Sequence, residues 1–107
     1  MMMMMMIGVA SMYAVTFDID TNCLNEQYHT PSGNNAYGDI RRFMESNGFL
    51  WQQGSVYFGD PIKINAVSCV TTVQRLAKQY PWFATCVKDV RMLRIEENND
   101  LMGAIRF

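Results

Sequence analysis

With 107 residues, half of them hydrophobic and 12% aromatic, the chain is sized for one domain with a modest packed core, which excludes a disordered or fibrous protein. Nine basic residues against ten acidic ones leave a formal net charge of -1, so any grip on nucleic acid has to come from a local basic patch. The three cysteines, Cys23, Cys69 and Cys86, form no CxxC pair and read as reduced, partly buried thiols of a cytoplasmic protein.

The chain opens on Met1 to Met6 and Ile-Gly-Val-Ala-Ser, which is apolar but lacks a basic flank and is too short to cross a bilayer. Residues 1–11 therefore read as a leader, with the natural start at Met12 and one domain over 12–107. No other apolar run approaches membrane length. From Met12 to Ile19 the residues alternate: Tyr13, Val15, Phe17 and Ile19 share a core face, while Ala14, Thr16 and Asp18 share a face open to solvent or a partner subunit. This strand ends in two carboxylates, Asp18 and Asp20.

Residues 21–34 read as a long polar connection punctuated by Pro31, Gly33 and Asn34, with Leu24 and Tyr28 pinning it to the body. A helix is expected over 35–46, with Ala36, Ile40, Phe43 and Met44 on its apolar stripe and Gly48 as its C-terminal cap. Arg41 and Arg42 lie off that stripe. Residues 49–52 and 55–58 read as two strands joined by a tight turn at Gln53-Gly54. A second helix is expected over 63–80, its stripe formed by Ala66, Cys69, Val70, Val73, Leu76, Ala77 and Tyr80, and Pro81 forbids its continuation. Trp82 and Phe83 plug the end of the core. The last strand spans about 87–96, and the tail after it reads as an edge strand or a short helical turn.

The order is strand, helix, strand, strand, helix, strand. That is an α+β, ferredoxin-like βαββαβ fold, with two helices on one face of a four-stranded antiparallel sheet. In its strand order, fourth-first-third-second, the end of the first strand lies beside the starts of the third and fourth. Asp18, Ser55 and Asp89 then gather at one end of the sheet, with Lys88, Arg91 and Arg94 nearby. Two carboxylates and a hydroxyl can hold a divalent cation, act as general acid and base, or position a nucleophile, and the cations can neutralise a phosphate. The plainer counterpart is that Asp18 terminates a strand, Asp89 pairs with Arg91 and Ser55 is a turn residue. His29, the only histidine, sits in the long loop, so paired imidazoles within one chain are excluded. Trp51, Tyr57 and Phe58 suit base stacking, although such residues are more often core or dimer contacts. No GxxxxGK[ST], GxGxxG or HExxH occurs, so nucleoside-triphosphate, dinucleotide and zincin readings have no support.

Several segments together carry a resemblance: Met12-Tyr-Ala-Val-Thr-Phe-Asp18, Asn34-Asn-Ala-Tyr-Gly-Asp39, Phe49-Leu-Trp-Gln-Gln-Gly-Ser-Val-Tyr57, Trp82-Phe83 and Val87-Lys-Asp-Val-Arg91. With these the chain resembles the virulence-associated protein D (VapD) family, and also looks like the small dimeric CRISPR-adaptation proteins. The resemblance implies a cytoplasmic homodimer that cleaves single-stranded RNA, as the toxin of a pair with a small protein antitoxin. Asp18, Ser55 and Asp89 are the implied catalytic positions, with Leu24 a lesser contributor. Lys88, Arg91, Arg94 and Tyr57 are expected to contact substrate, and Asp18 to hold any divalent cation such as Mg2+. The rival readings are a non-catalytic ferredoxin-like binding module and a structural nucleic-acid-binding dimer.

Overall fold

The computed structural model describes residues 11–27 and 34–107. Four strands, β1 (Met12–Ile19), β2 (Phe49–Gln53), β3 (Val56–Gly59) and β4 (Val87–Ile95), form one sheet in the order β2-β3-β1-β4, every neighbouring pair antiparallel. This is the ferredoxin-like arrangement expected from the element order. The helices are α1 (Thr21–Gln27), α2 (Asn34–Ser46), α3 (Ala66–Gln79) and α4 (Pro81–Cys86), with a 3-10 turn at Met102–Ile105 in the tail. No helix among the described residues is long and apolar enough to cross a membrane.

The core lies between the sheet and the helices. Val15, Phe17 and Ile19 of β1 meet Ala36, Ile40 and Met44 of α2, Cys69 and Leu76 of α3, and Phe83 of α4. Full burial of a side chain such as Phe83 contributes about 1.5–3 kcal/mol. Phe17 organises the aromatic part of this core, stacking on Tyr57 with centroids 5.9 Å apart and meeting Phe83 edge-on at 5.6 Å. The β2–β3 turn holds Gly54 at φ +50°, the left-handed region that a tight hairpin demands.

Several expectations need correction. The stretch 21–34 is not all connection, because residues 21–27 are helical. Asp20 caps them: its Oδ1 accepts from the backbone N–H of Asn22 (2.9 Å) and Cys23 (3.1 Å), and its carbonyl accepts from Leu24 (3.0 Å). Tyr28, His29, Pro31 and Gly33 lie outside the described residues, as does most of the leader. The second long helix starts later than expected, at Ala66. Asn65 and Ser68 form a reciprocal capping box there. Val70, assigned to its buried stripe, is half exposed, whereas Thr72 is buried.

Trp82 and Phe83 belong to a separate short helix with Pro81 in its first turn, a position where the missing N–H costs nothing. Ala14 is buried even though it faces away from the helices, since it is flanked by Phe58 on β3 and Leu93 on β4. The cysteines also depart from expectation. Cys23 of α1 and Cys86 of α4 form a disulfide across 63 residues with Cα atoms 5.4 Å apart, and only Cys69 is free. No spacing signals this pair, because residues 21–27 carry no helical pattern that would place Cys23 on a packed face.

The β1–β4 ladder contains one irregularity. Asp18 pairs with Asp89 and Ile19 with Val87, so Lys88 is an extra residue bulged out of β4.

Candidate functional site

Three residues expected to meet at the end of β1, Asp18, Asp89 and Ser55, do lie near one another there, but split between the two faces of the sheet. Asp18 and Asp89 stand directly opposite each other. Directly opposed side chains share a face, with Cβ atoms about 4.5–5.5 Å apart, and like charges so placed repel. Two cations offset the repulsion. Lys88 Nζ is 3.8 Å from Asp18 Oδ2, and Arg91 Nε donates to both Asp89 carboxylate oxygens, at 3.0 and 3.2 Å. All four side chains are largely solvated, and exposed pairs of this kind contribute only about 0–1 kcal/mol. The cations are therefore easily drawn to another anion.

Alternation along β1 sets the face. Phe17 points to the helices, so Asp18 points to the helix-free side. Ser55 is close in backbone terms, its carbonyl accepting from Phe17 N–H at 3.2 Å. It lies two residues before Tyr57, however, and so shares the helix side with Phe17 and Tyr57, where it lines a cavity. The structure thus brings Asp18, Asp89, Lys88 and Arg91 into one cluster and sets Ser55 around the edge of the sheet from it.

The remaining candidates lie elsewhere. Arg94 is opposite Tyr13, five residues along β4 from Asp89, about 16 Å away at strand rise, and pairs with Glu96 at 2.9 Å. Leu24 is the buried residue of α1 and acts through packing. Tyr57 is buried beside Ser55, and burial pushes its phenol up to about 12, with Arg41 opposing and Glu45 reinforcing the shift. Among the described residues, no three of His, Cys, Asp or Glu come together as a metal cage. The Asp18–Asp89 pair still fits a Mg2+-type ion, which is held by one or two carboxylates with the remaining positions left to water and phosphate.

Sequence reasoning missed the cavity as a unit. It measures about 520 Å³ and is lined by Phe17, Tyr37, Gly38, Arg41, Trp51, Gly54, Ser55 and Tyr57. Arg41 was noted as off the apolar stripe of its helix, which was the available signal that it faces something else. Its guanidinium carbon lies 4.5 Å from the Trp51 ring centroid, and its Nε pairs with Glu45 Oε2 at 3.1 Å. The Trp51 indole is fixed by a 2.8 Å hydrogen bond from Nε1 to the Gly54 carbonyl.

The chain matches the family model for CRISPR associated protein Cas2 over residues 11–102. It is 72% identical over 95 residues to the Endoribonuclease VapD homolog of Helicobacter pylori, covering 89% of this chain and 97% of that protein. Endoribonuclease VapD 2 of Riemerella anatipestifer is 62% identical over 94 residues, covering 88% of this chain and 99% of its own length. Endoribonuclease VapD of Dichelobacter nodosus is 30% identical over 96 residues, with 89% and 98% covered. Matches of this length, spanning both the Asp18 strand and the Asp89 strand, identify the chain as a member of the VapD endoribonuclease family, on the Cas2-type ferredoxin-like scaffold.

Proposed function

We propose that this chain is an endoribonuclease that cleaves single-stranded RNA at the cluster around Asp18. The activity class is that of its relatives at 72% and 62% identity, which are named endoribonucleases. The observation that carries the assignment of the site is the cross-strand carboxylate pair Asp18–Asp89, held at the exposed end of the sheet with Lys88 and Arg91 on its flanks. A pair of like charges is a poor choice for sheet stability and a good one for proton transfer beside a phosphate.

Asp18, solvated and at the strand terminus, takes the proton from the attacking hydroxyl as its oxygen bonds to phosphorus; a ribose 2′-OH expels the 5′-oxygen and leaves a cyclic phosphate, water expels the 3′-oxygen and leaves a 5′-phosphate, and the leaving oxygen takes a proton from solvent. Asp89 orients Arg91 through its two hydrogen bonds. Those bonds occupy only Arg91 Nε, so its terminal guanidinium N–H groups stay free for the phosphate oxygens, while Lys88 swings from Asp18 to the same oxygens, and both cations stabilise the charge that develops there. A divalent cation such as Mg2+ would be held by Asp18 with Asp89 beside it, and would supply further Lewis-acid stabilisation of the phosphate. Ser55, on the other side of the strand edge, contacts the RNA rather than the scissile bond.

A homodimer belongs to the same proposal. On the helix-free face a row runs Leu50–Phe58–Ala14–Leu93 across all four strands, with Leu50 and Leu93 exposed. A second copy seated on this face would cover the row and bring two Asp18 carboxylates together. Light scattering at micromolar concentration reads this directly, and a monomer there would count against it. A cytoplasmic site of action and a toxin role paired with a small protein antitoxin are further parts of the proposal, supported by the family resemblance.

The test is cleavage of a defined single-stranded RNA by wild type and Asp18→Asn, with and without chelator, with analysis of the product ends. Loss of cleavage in a folded Asp18→Asn supports the assignment, and wild-type turnover by that variant would overturn it. Cyclic phosphate ends that survive chelation mark 2′-hydroxyl attack without metal, whereas 5′-phosphate ends that need the ion mark hydrolysis. Salt-dependent RNA binding without cleavage by wild type would instead favour a structural binding protein.

A further inference from the structure

The cavity behind the cluster has the chemistry of a nucleotide seat. Its walls come from two elements set by different sequence signals: the early turns of α2, which supply Tyr37 and Arg41, and the β2–β3 hairpin, which supplies Trp51, Ser55 and Tyr57. At about 520 Å³ it falls within the range of roughly 300–1,000 Å³ typical of small-molecule sites, and it combines aromatic faces with one guanidinium. Trp51 is 40% exposed. Its indole is held by the bond to the Gly54 carbonyl, so its open face is pre-set and not free to collapse into the space. Arg41 stacks on the same ring and is itself exposed, leaving guanidinium N–H groups beyond the single bond to Glu45 for an anion or a base edge. The buried Tyr57 phenol at the floor keeps its proton at every physiological pH and can donate a hydrogen bond.

Position links the cavity to the cluster. Phe17 and Ser55 line the cavity, and Asp18 is the next residue along β1, a strand rise of about 3.3 Å, facing the opposite side. A strand of RNA that bends around this end of the sheet reaches both. A duplex does not fit such a path, because its bases are paired and stacked, whereas an unstacked base presents a face to an aromatic ring.

We propose that this cavity holds one unpaired, unstacked nucleotide of the RNA next to the scissile phosphate, with its base against Trp51 and its phosphate or base edge on Arg41. The cavity thereby selects single-stranded over double-stranded RNA. The inference rests on the ribonuclease reading for the position of the scissile bond, but the binding it describes is measurable without turnover. Aromatic stacking of this kind tolerates any base, so the seat selects strand state more than sequence.

The test measures anisotropy of a labelled 2′-O-methyl single-stranded oligonucleotide, which offers the bases and phosphates of RNA without a free 2′-hydroxyl. Trp51→Ala is expected to weaken binding roughly 5- to 150-fold, the range for loss of one stacked base. Arg41→Gln, an exposed substitution that leaves the hairpin intact, is expected to weaken binding as well, and guards against a folding defect in Trp51→Ala. A duplex of the same sequence should compete poorly with wild type. Quenching of Trp51 emission by the oligonucleotide in a Trp82→Phe background gives a direct readout of occupancy. If Arg41→Gln and folded Trp51→Ala bind as wild type does, or the duplex competes as well as the single strand, the seat is overturned while cleavage at Asp18 still stands. If both variants lose binding but wild type cleaves no RNA, the seat stands and the ribonuclease reading falls.

Discussion

The Cys23–Cys86 disulfide gives a stability prediction whose size follows from the chain. The bridge closes a loop of 63 residues. In the chain-entropy description, a cross-link over that length removes unfolded-state freedom worth about 4 kcal/mol at 25 °C. Cys86 is buried and Cys23 partly so, both packed in the core around the bridge, and the loss on reduction is expected to fall mainly on the unfolded state. For a domain near this size each kcal/mol shifts the melting temperature by about 4–8 °C, which places the expected drop at roughly 15–30 °C. Reduction by a dithiol transfers two electrons and two protons to the bridge and leaves two thiols, the reductant closing to its own cyclic disulfide. The assay is thermal unfolding by circular dichroism with and without dithiol, alongside thiol titration in denaturant. One thiol is expected before reduction and three after. The double variant Cys23→Ser/Cys86→Ser should melt near the reduced wild type and ignore the reductant. A wild type that titrates with three thiols as isolated, or one whose melting temperature is unmoved when the count rises from one to three, would refute the reasoning.

Four further outcomes are expected. Asp18→Asn, folded as judged by its melting curve, should lose roughly 10²–10⁴-fold in RNA cleavage rate, the usual contribution of a positioned general base; activity within tenfold of wild type would remove Asp18 from the chemistry. Gly59→Ala should destabilise by about 1–3 kcal/mol in denaturant titration, because a Cβ there would lie 2.7 Å from Ile64 Cγ2 in a packed corner. Tyr57 should ionise late, near pH 12, in an absorbance titration, and Tyr57→Phe should abolish that late phase; its protonated form supports folding fully below pH 10 and loses that contribution as pH rises through about 12. Asp60, held below its ordinary range by the backbone N–H groups of Ile62 and Lys63, contributes stability above its unfolded pKa that is lost as pH falls. Asp60→Asn should therefore melt below wild type at pH 6, and the two should converge in strong acid.

Much of this architecture could be read from residue patterns. The alternation of β1, the Gly48 cap and the break at Pro81 are local signals that sit where the structure uses them, and the hairpin turn falls one residue later than its signal, at Gly54-Ser55, because Gln53 still pairs with Val56. The topology then placed Asp18 beside Asp89 from 71 residues away in sequence, which no local pattern could do. What escaped was structure that depends on a single cap or on a partner distant in the chain. Residues 21–27 look like loop because Thr-Asn-Cys are weak helix formers; the Asp20 cap and the packing of Leu24 and Cys23 override that preference. The bridge to Cys86 was hidden for the same reason. Ser55 and Tyr57 face the same way because residues two apart on a strand do, and the burial of Tyr57 on the helix side settles which face that is. The bend of the site around the sheet edge follows from that parity.

The extra residue at Lys88 limits how β4 can change length. In an uninterrupted ladder Lys88 would stand opposite Ile19 and direct its ammonium into the packed layer under α1 and α4, while Val87 would turn outward. The bulge restores Val87 to the interior and delivers the ammonium to Asp18 instead. Shortening β4 by one residue at this point alone leaves every other side chain on its proper side and subtracts only the positive charge. The same shortening anywhere else between Val90 and Ile95 would turn part of the strand inside out. Gene variants that differ in length here would therefore alter charge beside the carboxylates and spare the sheet.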